Sequence, residues 1–279
     1  MAEWPNLFVV GAPRAGTTSL WAYLGQNPDV LMARMKEPNF FTKMRPRRFP
    51  GVKDEREYLE LFATGGTARY RGEASPNYLS DPATPARIKE ASPNARILAI
   101  LREPVARTYS DYWRRVRHGG ERRAFLEVVR SELRSGPGPT SYVGRSLYAG
   151  QVERYLRVFG DAMHVTVFDD LVTDVRATVR KILEFLELDP SFAASFDAEP
   201  LNEFSLPRNS LVRRMYASRR LHRFGRRVVP SLLHRGVEHA LLAAGPKPKL
   251  DAEARELLQS FFAPDQPRLE SLLGRSLPW

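Results

Sequence analysis

LFVVGAPRAGTTSLWAYL, residues Leu7–Leu24, joins an apolar run, a glycine-containing turn and a helical apolar repeat. The run Leu7–Val10 predicts a buried strand, and the apolar residues after the turn recur at the spacing of an α-helix. The turn holds Gly11 and Gly16 and is followed by the hydroxyl side chains of Thr17–Ser19. A strand, a glycine turn and a helix in this order direct backbone N–H groups and a helix N-terminus at a phosphate. We therefore expect an anion-binding turn.

The spacing of the two glycines resembles the pattern G-x-x-x-x-G-K-[ST], with one difference. Thr17 occupies the position of the lysine that a nucleoside triphosphatase uses on its β- and γ-phosphates, and the nearest cation is Arg14. A turn without that lysine still suits a shorter phosphate group held by Arg14. An ordinary strand-to-helix turn is the alternative.

Composition narrows the class of protein. The 279 residues are 43% hydrophobic, contain no cysteine and carry a formal net charge of +11. Such a chain can bury a sizeable core but forms no disulfide and no thiolate metal site. Its start does not resemble a signal peptide, and no apolar run approaches the roughly 18 residues of a membrane span, so we expect a cytoplasmic protein without stable membrane insertion. The charge favours anions in general, from nucleotides to acidic glycans, nucleic acid and membrane surfaces.

Apolar runs that alternate with helical patterns predict an α/β fold with a parallel sheet covered on both faces. Besides the first run, the expected strands are Val30–Met32, Arg69–Glu73, Ile97–Leu101 and His164–Phe168. Ligands of such sheets bind at the carboxyl ends of the strands, where the glycine turn, Glu37 and Arg102 all fall.

The expected helices follow the spacing of apolar residues and the capping signals. They are a helix over Glu55–Phe62, one capped by Asp81 with Pro82 in first position, one opened by Pro104, and others over Arg145–Phe159, Thr173–Leu188, Asp251–Phe262 and up to Leu273. Ser135–Gly144 is expected to be a glycine- and proline-rich loop.

A second anion-binding pair follows the run Ile97–Leu101. Arg102 ends that strand and Ser110 lies two turns into the next helix, so a guanidinium and a hydroxyl can hold one phosphate between them. Taken alone, Arg102 is better explained as a helix-capping or ion-pairing residue, and the glycine turn changes that interpretation.

Glu37 is the candidate general base. Pro38 disfavours a helical conformation at the preceding residue, so Glu37 is expected to be extended and to lie in a loop or at a strand end. A carboxylate there can take a proton from a hydroxyl, and Arg14 can hold the charge that develops on a leaving group. A solvated loop carboxylate is the alternative.

These motifs resemble those of the sulfotransferases, in particular the heparan sulfate 3-O- and N-sulfotransferase group and its bacterial relatives. The similar segments occur in the same order along nearly the whole chain: GAPRAGTTSLWAYLGQNPDV, KEPNFF, GEASPNYL, SPNARILAILREPVARTYSDYW, GRSLYAGQVERYLRVF and LLGRSLPW.

The resemblance implies one domain over residues 1–279 with a P-loop NTPase-like, three-layer architecture, in which a central parallel sheet is flanked by helices. The core would span about 5–190, and a helical part over about 200–279 would complete the cleft. It implies 3′-phosphoadenosine 5′-phosphosulfate as the donor, the 3′,5′-bisphosphate as the product, no metal, and transfer to a carbohydrate or glycosylated metabolite, with no nucleic acid partner.

By matching position, the resemblance also assigns roles to residues. Glu37 is the base and Arg14 bridges the leaving phosphate; the 5′-phosphate is cradled by Ala15, Gly16, Thr17, Thr18 and Ser19, and the 3′-phosphate by Arg102 and Ser110. Lys247 and Lys249 are candidates for a basic loop over the nucleotide, with a solvated linker as the alternative. The acceptor, which can be acidic, would meet Lys36, Asn39, Tyr148 and Gln151, although Tyr148 suits a core position equally well. Arg45, Arg47 and Arg48 could attract it.

Two positions depart from the heparan enzymes. Asn39 replaces a histidine beside the base, and Ala74 replaces a lysine that follows the glutamate matching Glu73. Two other functions compete with the sulfotransferase. A P-loop kinase or nucleoside triphosphatase would bind ATP and magnesium. A non-enzymatic binder of polyanions would use the arginine-rich segment Arg208–Arg235.

Overall fold

The computed structural model describes residues 4–44, 51–63, 66–198 and 248–279, and the backbone of two short strands at 205–207 and 242–244. Five strands form one sheet: β1 (Leu7–Gly11), β2 (Val30–Met32), β3 (Tyr70–Ala74), β4 (Arg96–Leu101) and β5 (Met163–Val167). Their order is β2-β3-β1-β4-β5 and every pair is parallel. This confirms the predicted parallel sheet, and it places the turn after β1 at the centre of the sheet edge.

Helices flank the sheet and account for the apolar strands. All five residues of β1 are buried, as are the last five of β4. A strand covered on both faces needs apolar side chains at every position, not at alternate ones. The result is the predicted three-layer, P-loop NTPase-like α/β architecture.

The helices and remaining strands have the following bounds. The α-helices are α1 (Thr17–Leu24), α2 (Glu55–Leu59), α3 (Thr84–Ala91), α4 (Pro104–Arg117), α5 (Phe125–Ser135), α6 (Tyr148–Phe159), α7 (Phe168–Thr173), α8 (Val175–Phe185), α9 (Ala252–Phe262) and α10 (Asp265–Leu273). Short 3₁₀ turns occupy Glu60–Phe62, Gly144–Ser146, Gly160–Ala162 and Pro190–Ala194. β6 (Ser205–Pro207) and β7 (Leu242–Ala244) form an antiparallel pair.

Three helices begin later than predicted: α3, α6, and α8, which begins at Val175 after the capping residue Asp174. Asp81 does not cap α3, which begins at Thr84; its Oδ1 accepts the Ala83 N–H at 2.9 Å within the preceding turn. α6 begins at Tyr148, not at Arg145. Its first N–H groups are bonded by Asp265 Oδ2, 2.8 Å from Tyr148 N, and such an acceptor satisfies donors that lack a partner within the helix. Helix α5, packed by Phe125, Val128 and Val129, was not predicted.

A second core cluster lies beside the sheet and fixes the position of α4. It joins Val105 and Tyr109 of α4 to residues of α5 and to Leu258 and Phe262 of α9. The Tyr109 hydroxyl also donates to the Pro248 carbonyl at 2.8 Å. The C-terminal helices therefore hold the helix that carries Ser110. None of the helices within the described ranges has the length and apolar character to cross a bilayer.

Candidate functional site

The turn between β1 and α1 lines a cleft of about 1020 Å³. Gly16, the residue before α1, has a φ of 96°, a left-handed conformation that glycine adopts without steric cost. A Cβ at Gly11 would come within 2.6 Å of Leu79 Cβ, so that position also requires glycine. The residues that begin α1, Thr17–Ser19, line the cleft with Gly16. The backbone and the helix N-terminus therefore face the cleft as the sequence predicts for an anion.

Arg14 joins this turn to α4. Its Nε donates to Ser110 Oγ at 3.2 Å. Surrounding protein atoms desolvate its guanidinium and lower its pKa to about 10; the charge of Arg114 acts in the same direction, and Asp111 opposes it. Arg14 thus stays positive at neutral pH. Ser110, predicted for a second phosphate, lies within hydrogen-bonding distance of the cation predicted for the first.

Arg102 completes this group from the end of β4. Its Nη1 donates to the Arg14 carbonyl at 3.1 Å, and its guanidinium carbon lies 4.6 Å from the ring centroid of Phe168. Burial lowers its pKa, with the charges of Tyr148 and Asp169 opposing the shift. The structure therefore brings together Arg14, Arg102 and Ser110, which come from three separate segments.

Glu37 lies in the loop after β2, but its backbone is not extended. Its φ is 59° and that of Asn39 is 51°, both left-handed values. Such residues cost about 1–3 kcal/mol each and persist only where their surroundings hold them. Here the Glu37 N–H donates to the Ala74 carbonyl at 3.1 Å, and Asn39 Nδ2 donates to the Glu37 carbonyl at 2.8 Å. The tertiary hydrogen bond to Ala74 and the local one from Asn39 together override the preference imposed by Pro38.

Glu37 faces the same cleft as Arg14. Its Oε1 lies 2.9 Å from Lys36 Nζ, and its side chain is 40% exposed. It is the one carboxylate among the described residues that line the cleft, whereas the lining cations are Arg14, Lys36, Lys43, Arg102, Arg114, Arg115 and Arg145. A cleft lined by one sign of charge concentrates ligands of the opposite sign.

The cations that line the cleft form a basic wall. A buried carboxylate that was not expected from the sequence binds two of them, Arg114 and Arg145. Asp111 is fully buried; its Oδ1 accepts from Arg114 Nε at 3.0 Å, and its Oδ2 lies 3.6 Å from Arg107 Nη1 and 3.5 Å from Arg145 Nη1. Burial alone would raise its pKa, but the three guanidiniums hold the pKa of Asp111 well below its usual range. The sequence does contain a signal for this ion-pair cluster: Asp111 follows Ser110 and has Arg107 and Arg114 at helical spacing on either side.

An apolar surface adjoins the glycine turn. Phe168 and Leu171 of α7, Val172, and Val175 of α8 line the cleft, and a Cβ at Gly16 would lie 3.1 Å from the side chains of Phe168 and Leu171. Such a surface suits the flat ring of a nucleobase. Phe168 was expected at the end of a strand and Val175 in a helix, and none of these residues was predicted for the site.

Several predicted site residues lie elsewhere. Tyr148 is fully buried and its hydroxyl donates to the Arg102 carbonyl at 3.0 Å, which is the core position left open above. Gln151 is buried, with Nε2 bonded to the Gly144 carbonyl at 2.9 Å. Asn39 is also buried and does not line the cleft, and Ala15 is buried within the turn. Lys249 is exposed. Lys247, Arg45, Arg47, Arg48 and the segment Arg208–Arg235 lie outside the described residues.

Known proteins are similar to this chain in architecture and in sequence. A crystal structure of a sulfotransferase from Alicyclobacillus acidocaldarius is 31% identical, with a TM-score of 0.75 over 98% of this chain and 97% of that chain. Human heparan sulfate glucosamine 3-O-sulfotransferase 6 is 28% identical over 191 residues, 67% of this chain and 53% of the relative. Mouse heparan sulfate glucosamine 3-O-sulfotransferase 5 is 26% identical over 282 residues, 99% and 74% of the two chains.

The chain spans about half the length of the first of these curated relatives. A family model described as a sulfotransferase domain matches residues 5–205, which include the glycine turn, the Glu37 loop, Arg102 and Ser110. Most of the chain falls within that match, including every described residue that lines the cleft. The chain belongs to the sulfotransferase domain family.

Proposed function

We propose that this chain transfers a sulfo group from 3′-phosphoadenosine 5′-phosphosulfate to a hydroxyl of a carbohydrate or glycosylated metabolite. One observation carries the proposal: Arg14, Ser110 and Arg102 form a connected group at the glycine turn, and Glu37 lines the same cleft. The cysteine-free sequence agrees with a reducing compartment, and we include the cytoplasm in the proposal.

The cleft residues fit such a donor. The left-handed Gly16 and the N-terminus of α1 suit the 5′-phosphosulfate, Arg102 and Ser110 suit the 3′-phosphate, and the Phe168–Val172 surface suits the adenine. When bound, the donor supplies a sulfo group attached to a phosphate that can leave.

Glu37 and Arg14 have separate roles in the transfer: Glu37 accepts a proton and Arg14 stabilises the leaving group. Lys36 Nζ contacts Oε1 of Glu37. Oε2 has no hydrogen-bond partner among the described residues, so it can accept the proton of the acceptor hydroxyl. Arg14 lies in the turn, where its guanidinium can stabilise negative charge on the leaving phosphate oxygen.

The basic wall favours an acceptor that carries negative charge. Arg114, Arg115 and Lys43 line the cleft in addition to the residues assigned to the donor. The names of the curated relatives given above refer to heparan sulfate glucosamine, an acceptor class that agrees with this wall. A carboxylate base fits a hydroxyl acceptor better than an amine, because a hydroxyl becomes a strong nucleophile only as it loses its proton, whereas a neutral amine is nucleophilic through its lone pair.

The direct test is turnover of the donor by wild type and Glu37→Gln. We expect the variant to lose kcat by about 10²–10⁴-fold, the range of general base catalysis, with little change in donor binding. Glu253→Gln, which alters an exposed carboxylate paired with Arg130, is the matched control. A Glu37→Gln enzyme with wild-type kcat would exclude Glu37 as the base.

Calorimetry separates the proposal from a phosphotransferase. Thr17 occupies the lysine position of the triphosphatase motif, so we expect binding of 3′-phosphoadenosine 5′-phosphate and not of ATP with magnesium. The opposite preference would favour a kinase or nucleoside triphosphatase.

A further inference from the structure

A buried carboxyl group behind the Glu37 loop takes no part in the proposed transfer. Glu73 of β3 is fully buried, and three hydroxyls donate to it. The hydroxyl oxygens of Tyr58 and Tyr78 lie 2.6 and 2.9 Å from its Oε1, and Ser75 Oγ lies 2.6 Å from its Oε2. Glu73 has no ion pair among the residues that the structure describes. Its polar contacts are therefore hydroxyls.

Two of these hydroxyls also bind the backbone of the loop. The Asn39 N–H donates to Ser75 Oγ at 3.0 Å, and the Phe41 N–H donates to the Tyr78 hydroxyl at 3.2 Å. A hydroxyl has one proton, and when that proton points to the Glu73 carboxylate, the oxygen is left free to accept from a backbone N–H. The carboxylate thus orients each of these two hydroxyls so that a lone pair faces the loop N–H.

We propose that Glu73 is a positioning residue for sulfo transfer: through Ser75 and Tyr78 it fixes the backbone of residues 37–41, and so it holds Glu37 toward the cleft. The role of Glu37 as base rests on the proposed function. The effect of Glu73 on the loop rests only on the hydrogen bonds.

The loop needs such support because of its backbone. Glu37 and Asn39 both have a left-handed φ, which their own side chains do not favour, and asparagine tolerates it better than glutamate. The Glu37 side chain has one ion pair, with Lys36, and is partly exposed. Relaxation of Asn39 would reorient the peptide that carries Glu37. The two N–H anchors at Asn39 and Phe41 oppose that relaxation on the far side of Pro38.

Protonation of Glu73 would disturb the same hydrogen bonds. A neutral carboxyl donates its proton to one of the three hydroxyls, and that hydroxyl must then turn its own proton away from Glu73. When the hydroxyl is that of Ser75 or Tyr78, its lone pairs turn as well, and it accepts less well from the loop N–H. The titratable groups that face Glu73 are Tyr58 of α2, Tyr78 of the turn after β3 and Tyr155 of α6. Burial raises the pKa of each of these tyrosines, so all three stay neutral.

Burial also raises the pKa of Glu73 to about 7, although the three hydroxyls act in the opposite direction. The ionised form, which orients the network, is lost as the pH falls through this value. We therefore expect an acid limb near pH 7 in the kcat profile, and a more mobile loop at pH 6 than at pH 8.

The experiment compares two single-hydroxyl deletions. Ser75→Ala removes the link between Glu73 and Asn39; Tyr58→Phe removes a donor to the same carboxylate with no recorded hydrogen bond to the loop. Hydrogen exchange of the Asn39 amide and turnover of the donor are measured from pH 6 to 9, together with donor KM and melting temperature. At pH 9 we expect Ser75→Ala to exchange about 10-fold faster and to lose about 10-fold in kcat with an unchanged donor KM.

Tyr58→Phe should match wild type in both measurements at pH 9 and shift the acid limb to higher pH, because it removes a hydrogen bond that lowers the pKa of Glu73. The proposal is overturned if Ser75→Ala exchanges and turns over like wild type, or if both variants lose plateau kcat equally. Faster exchange in Ser75→Ala without any turnover in wild type would support the role of Glu73 in the loop and reject the sulfotransferase activity.

Discussion

Asp111→Asn should destabilise the fold strongly, because it removes the negative charge that three guanidiniums share. Arg107 and Asp111 are fully buried, and Arg145 is nearly so. Removal of one partner from a buried ion pair costs about 3–5 kcal/mol, since the remaining charge is left without compensation. The asparagine Oδ1 can still accept from Arg114, so we expect the lower end, about 3 kcal/mol.

This value converts to a melting temperature through the unfolding entropy. At about 2.1 cal/mol/K per residue, a 279-residue chain has an unfolding entropy of about 0.6 kcal/mol/K. A loss of 3 kcal/mol then lowers Tm by about 5 °C. Arg114 and Arg145 also line the cleft, so a bound anion should replace part of the missing charge. Saturating 3′-phosphoadenosine 5′-phosphate should therefore reduce the difference from wild type.

Calorimetric unfolding with and without that nucleotide is the assay. Asp170→Asn is the matched control: it breaks a surface ion pair with Arg275 and should cost less than about 1 kcal/mol. The pKa of Asp111 lies below its usual range, so its stabilisation is present above the unfolded value of about 3.9 and is lost as the pH falls toward the folded one. The difference in Tm should thus persist at pH 5. An Asp111→Asn deficit equal to that of Asp170→Asn would refute the reasoning.

Three further changes test two arginines of the cleft and the buried carboxyl group behind the Glu37 loop. Arg14→Ala should lower kcat by about 10²-fold. Arg14→Lys should lower it less, because the ammonium still stabilises part of the charge on the leaving phosphate; steady-state measurement of kcat for both variants tests this. Arg102→Met should weaken 3′-phosphoadenosine 5′-phosphate by about 10-fold or more and leave AMP, which lacks the 3′-phosphate, unaffected in calorimetry. Glu73 has a pKa raised from 4.5 to about 7, so ionisation of its buried carboxyl lowers the free energy of unfolding by about 3 kcal/mol. The full stability is present below pH 4.5, and this part of it is lost as the pH rises through 7. Glu73→Gln should remove this pH dependence in urea unfolding at pH 5 and 8.

The sequence predicts the sheet and the phosphate-binding turn well because their signals are local. β1 and β4 are apolar at nearly every position, and two glycines mark the turn between β1 and α1. Arg102 was expected at the end of β4, and it lies there beside the turn. For these residues the chain neighbours are enough to determine the structure.

Other features depend on partners far along the chain. The left-handed Glu37 is held by the carbonyl of Ala74, and the start of α6 by the carboxylate of Asp265, 117 residues from Tyr148. Asp111 combines partners on its own helix with Arg145 from a different segment. A helical pattern identifies none of these contacts, and Pro38 by itself indicates the wrong conformation for Glu37.

The excess of cations in the cleft has a consequence for the kinetics of encounter and departure. At 0.15 M salt, ionic screening confines the attraction to about 8 Å, so the field acts on anions that have reached the mouth. Both the proposed donor and its bisphosphate product are anions, and the seven lining cations of the described residues attract them alike. Low ionic strength therefore speeds binding of the donor and slows release of the bisphosphate. Added salt would have the opposite effect on both rates, so it would shift the slow step from product release toward donor binding.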